Sequence, residues 1–172
     1  MIAVTPQLAM PGDLVFAHSK NLIGRVIRFG EWLRFRPGSK WNHVAIVSKI
    51  ENGKTFIIQA EASGVTNDKE LDTIAPGGQY LVVEPPQGVD KDQLLEFANA
   101  QVGSKYGWLS ILTVAIDIIT PGWAPSLRRR NSWICSAVVG EALRFSGWLH
   151  HWNDIYTVVP SELYAALYGE HA

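Results

Sequence analysis

Apolar residues recur along this chain with two different periods, and the two periods divide it into strands and helices. Val44, Ala45, Ile46 and Val47, then Phe56, Ile57 and Ile58, make short β-rich runs that predict strands over residues 43–50 and 54–61. Glu51, Asn52 and Gly53 between them read as a hairpin turn. A shorter strand is predicted over 14–17, after the turn Pro11-Gly12-Asp13, and another over 80–84, stopped by Pro85 and Pro86. Helical spacing appears at Leu22, Ile23, Val26, Ile27, Phe29 and Leu33, behind a capping Asn21, which predicts a helix to about residue 35. Leu94, Leu95, Phe97 and Ala98 form the apolar side of a helix over 90–102. Residues 106–119 are mostly apolar and read as helical, and 120–131 form a loop. A helix over 133–145 stops at Gly147, and Pro160-Ser161-Glu162 starts a short last one over 163–167. There is no internal repeat, low-complexity tract or linker. The pattern predicts one α+β domain over residues 1–172, a small antiparallel sheet with helices before and after it.

Composition narrows the possible partners. The 172 residues suffice for one core, and 47% hydrophobic with 18% charged residues is ordinary for a folded chain. Fifteen basic and 16 acidic residues leave a net charge of −1, so no overall field attracts nucleic acid. Arg25, Arg28, Arg34 and Arg36 read as a solvated helix face, or as a patch for an acidic substrate or a lipid surface. The longest apolar stretch, 109–119, is interrupted by Asp117 and falls short of the ~20 residues that span a bilayer. No transmembrane segment is expected, and peripheral membrane contact stays open. The first residues show no basic and apolar leader, which predicts a cytoplasmic protein, with phage delivery or another export route as the alternative. One cysteine excludes an internal disulfide. The histidines show no metal-ligand spacing and no phosphate-binding glycine loop is present, so neither metal nor cofactor is expected.

The chemistry centres on Cys135. With Asn131 or Ser132 as N-cap, it falls in the first turn of a helix. There the helix dipole and free N–H groups favour a thiolate, and the same amides suit an oxyanion. The opposing reading is an inert, buried thiol. His43, at the start of an apolar strand, is the candidate base, and Glu61 is the candidate group to orient it. A three-residue hairpin loop pairs Ile50 with Lys54 and sets His43 opposite Glu61 on one face. A two-residue loop, Asn52-Gly53, shifts the register by one and turns Glu61 away. The first register keeps Glu61 off the core face and is the one expected. Gln59, on the same face, is the second candidate for the orienting role.

Several short motifs occur in a telling order: Pro11-Gly12-Asp13-Leu14, Asn42-His43-Val44-Ala45-Ile46-Val47, Glu61-Ala62-Ser63-Gly64-Val65, Gly103-Ser104-Lys105-Tyr106-Gly107-Trp108 and Trp133-Ile134-Cys135-Ser136. Together they resemble the circularly permuted branch of the NlpC-type papain-like superfamily, the YiiX-like proteins, with lecithin retinol acyltransferase as a more distant relative. The resemblance covers roughly residues 10–165. It implies a permuted papain-like α+β fold with Cys135 as nucleophile, His43 as base and Glu61 as the orienting residue. Tyr106, Ser136 and Trp41, in or beside these motifs, are the candidate substrate contacts. Retinol acyltransferase relatives carry a second histidine where this chain has Glu61, which points towards hydrolysis. The implied activity is hydrolysis of an amide bond through a thioester. Peptidoglycan-type peptides are the superfamily's best-known substrates, and lipid amides or esters, acyl transfer, and a non-catalytic binding module are the alternatives.

Overall fold

The β-branched runs form a sheet, and one polar run joins it. The computed structural model describes residues 9–18, 40–107, 132–148 and 155–169. Strands β1 (Leu14–His18), β2 (His43–Glu51), β3 (Lys54–Glu61), β4 (Gly64–Glu70) and β5 (Gln79–Val83) make one antiparallel sheet in the order β4-β3-β2-β1-β5. Three helices are described, α1 (Lys91–Ala100), α2 (Cys135–Phe145) and α3 (Pro160–Tyr168). The fold is α+β. The helix expected over 21–35, the apolar run 109–119 and the loop expected over 120–131 lie outside the described residues.

Alternation along the strands gives the sheet two buried faces. Leu14, Phe16, Val44, Ile46, Ile58 and Ala60 face the helices and pack with Leu94, Val138, Ala142, Leu143 and Leu163. Val15, Ala17, Ala45, Val47 and Ile57 face the other way, under Leu71, Ile74 and Ala75. Helix α1 is capped by Asp90, whose side chain accepts from the N–H groups of Asp92 and Gln93. It is fastened to the turn before β1 by Lys91, whose Nζ lies 2.8 Å from Oδ1 of the buried Asp13.

Three expectations need correction. Strand β4 has no counterpart among the expected strands because Thr66, Asn67, Asp68, Lys69 and Glu70 show no apolar alternation; it is an edge strand, whose charges also blunt its outer side. Tyr106 is not helical. It lies in the two-residue β6 (Lys105–Tyr106), paired in parallel with β7 (Ser132–Trp133), so the helix that follows starts at Cys135, two residues later than expected. The hairpin between β2 and β3 has the two-residue loop: Glu51 pairs with Lys54, and Asn52 and Gly53 both take positive φ, 51° and 74°. A bulge at Ser48 then moves the register by one, so that Val47 meets Ile57 and Ile46 meets Ile58. The bulge thus restores, at Ile46 and Val47, the register expected from a three-residue loop, while the loop itself is shorter than predicted; the described pairs end at Ile46↔Ile58, before His43 and Glu61.

Gly64 joins two of the motifs. Its φ is +121°, and a Cβ there would lie 2.5 Å from the carbonyl oxygen of Ser104. Val65 N–H donates to that oxygen at 2.9 Å, and Gly103 N–H donates back to Val65 O at 2.9 Å. Only a glycine lets the 103–106 segment lie this close to β4. Gly64→Ala is expected to cost roughly 1–3 kcal/mol through the clash and the strained φ. Urea unfolding reads this as a lower midpoint, and an unchanged midpoint would contradict the close approach.

Candidate active site

Cys135 is the first residue of α2, and the local sequence explains its setting. Ile134, with φ −99° and ψ 159°, is the N-cap and offers no side-chain cap, so Ser132 does not play that part, and Asn131 lies outside the described residues. The first intrahelical bond described runs from Val138 N–H to Ile134 O. The N–H groups of Cys135, Ser136 and Ala137 therefore precede the helical ladder and are directed out of the helix end. Residues 135–140 are buried all round, and Gly140 is small because the side chain of Ile155 lies against it. Ile134, Val138 and Ala142 are buried and hold α2 to the core, while Phe145 is 51% exposed.

Two electrostatic effects oppose each other at the sulfur. Burial, with 3% of Cys135 exposed, favours the neutral thiol and would raise its pKa. The charge of His43, a hydrogen bond from its ring and the N–H groups of Val44 and Ser136 outweigh burial, and the net pKa is lowered. His43 shows the mirror image. Burial would lower its pKa, but the Cys135 charge, hydrogen bonds to Cys135 and Gln59, and the charge of Glu61 raise it. The two groups thus favour a thiolate–imidazolium pair, the reactive form of a cysteine.

The ring's orientation follows from its partners. His43 Nε2 lies 2.7 Å from Gln59 Oε1. An amide oxygen only accepts, so Nε2 carries the proton and donates. Nδ1 is then the nitrogen left for the Cys135 proton. Gln59 lies two residues before Glu61 on the same face of β3, and its side chain reaches the ring. Of the two orienting candidates, Gln59 holds the ring. Glu61 instead accepts a 3.1 Å hydrogen bond from Ser63 Oγ and acts on His43 through its charge.

The remaining candidates separate. Tyr106 is buried beside the sulfur: burial and the Cys135 charge push its phenol pKa well above the usual range, so it stays a neutral hydroxyl. It is held there by the β6–β7 pairing and by Gly107 N–H donating to Trp133 O at 2.9 Å. The hydroxyl of Ser136 points away from the sulfur and donates to Val158 O, so only its backbone N–H serves the site. Trp41 is a core residue, 3% exposed, packed on Phe16 and Tyr164. Ser161 Oγ donates to Trp41 O at 2.8 Å and ties the start of β2 to α3. The N–H of Val44 was not foreseen. The described β2–β3 pairs begin only at Ile46↔Ile58, and nothing in the residue type signals a free amide.

Among the described residues no group of three or more His, Cys, Asp and Glu side chains is placed to hold a metal ion, and no helix is long and apolar enough to cross a membrane.

Gln59→Leu should remove the acceptor that stabilises the imidazolium. The pH profile of Cys135 alkylation by iodoacetamide is then expected to move to higher pH. The rate near pH 7 should fall about tenfold or more, the worth of a hydrogen bond to a charged group at ~1.5–3 kcal/mol. A profile identical to that of the unmutated protein would exclude Gln59 as the ring's anchor.

No protein-family model matches the chain and no curated protein matches it, so its chemistry rests on the site's own geometry.

Proposed function

We propose that this chain is a cysteine-dependent hydrolase of amide or ester bonds, built on a permuted papain-like fold. One observation carries the reading: a cysteine at a helix N-terminus is hydrogen-bonded to a histidine whose Nε2 is held by an amide side chain. In the proposed cycle His43 Nδ1 takes the Cys135 proton, and the thiolate attacks the substrate carbonyl. The tetrahedral oxyanion is met by backbone N–H groups at the start of α2. As the C–N or C–O bond breaks, His43 returns its proton to the leaving amine or alcohol. Water, deprotonated by His43, then attacks the thioester, releases the acid and restores the thiol. Gln59 keeps the ring in place throughout without adding charge.

A peptide amide of the peptidoglycan type is the substrate class proposed from the sequence resemblance, with lipid amides or esters as its rival. The intact Cys135, His43 and Gln59 arrangement weighs against a binding module that has lost its chemistry.

p-Nitrophenyl acetate provides a direct assay. The unmutated protein should release a burst approaching one p-nitrophenolate per chain and carry an acetyl group on Cys135 by mass spectrometry. Cys135→Ala should abolish the burst, and His43→Ala should slow acylation by about 10²–10⁴-fold, the usual worth of a positioned base. Undiminished turnover by Cys135→Ala would reject the reading. Adding an amine acceptor then separates acyl transfer from hydrolysis by the product formed.

A further inference from the structure

The site holds a carboxylate that the proposed cycle does not use. Glu61 ends β3, two residues beyond Gln59 and on the same face, and Gln59 holds the His43 ring. Gln59 has already taken the ring nitrogen that a carboxylate there would be expected to hold. Glu61 is half-buried, so water screens it incompletely, and its charge is felt at His43. Its described hydrogen-bond partner is a neutral one, Ser63 Oγ. No lysine or arginine forms a salt bridge with it among the described residues; Lys105, on the neighbouring segment, is exposed and does not pair with it.

The charge balance gives this carboxylate a consequence. Thiolate and imidazolium cancel, and Gln59 and the phenol of Tyr106 are neutral. Glu61 therefore leaves this group of side chains with a net negative charge. An anionic substrate is repelled and a cationic one attracted, and the attraction acts close to the reacting atoms, where screening is least.

We propose that Glu61 is a substrate-binding residue that selects amides or esters bearing a protonated amine near the scissile bond. This rests on the hydrolase reading above and names the substrate class of the same site. The ammonium group takes the counter-ion position that no described residue fills, with N–H donated to the carboxylate oxygen that Ser63 does not occupy. No covalent step involves Glu61.

A pair of thiol reagents tests this without knowledge of the substrate. Cationic 2-aminoethyl methanethiosulfonate and neutral methyl methanethiosulfonate both require the thiolate, so the ratio of their rates is insensitive to how much thiolate is present. With rates normalised to a small free thiol, the unmutated protein should favour the cationic reagent by about fivefold, the factor a unit charge at ~4 Å gives even in a water-like dielectric. Glu61→Gln should bring the ratio to about one, and Asp68→Asn, on the exposed part of β4, should leave it unchanged. Added salt should lower the ratio in the unmutated protein. A ratio unaffected by Glu61→Gln, or lowered equally by Asp68→Asn, would overturn the proposal while the hydrolase reading stands. A neutral-reagent rate no faster than the free thiol's would instead remove the activated cysteine on which both rest.

Discussion

The site depends on one buried contact between opposite charges. Neither the Cys135 thiolate nor the His43 imidazolium would persist alone at this depth, since burial works against each. Together they reverse that penalty, and the N–H groups of Val44 and Ser136 add to the balance on the sulfur side. The scaffold's task is to bring a helix end and a strand end into contact and hold them there.

Several local devices accomplish this. The bulge at Ser48 corrects the register left by a two-residue loop, so that the far ends of β2 and β3 bring Gln59 and Glu61 to His43. Gly64 admits the Ser104 carbonyl, which lets β6 run beside β4 and carry Tyr106 to the sulfur. Trp133, stacked on Tyr156 with ring centres 5.6 Å apart and edge-on to Phe97, fixes the approach to Cys135 from two residues upstream. Ser161 pins the backbone of Trp41 just before His43. Several of the short motifs seen in the sequence are thus joints between elements.

The sequence was legible where residue type and period agree. The central strands, α1 and the body of α2 follow from their apolar spacing. The proximity of Cys135 and His43 was expected from motif order, and the described residues bring the two into hydrogen-bond contact. Less was legible where hydrogen bonding and not burial sets the structure. Strand β4 is polar, and the β6–β7 pair is too short to show a period. The orienting residue was harder still. Glu61 is the better acceptor by charge, yet Gln59 makes the contact; the two side chains have the same length, so position on the strand and not residue type decides between them. Trp41 and Ser136 show the limit of arguing from adjacency. Closeness in the chain does not put a side chain in the site: Trp41 packs in the core and the Ser136 hydroxyl is held by Val158 O.

The most direct measurement is an NMR titration of the His43 imidazole in the unmutated protein and in Cys135→Ser. The account predicts that the ring titrates above an ordinary histidine in the first and falls when the serine removes the facing negative charge. The same midpoint in both proteins would mean that no ion pair exists.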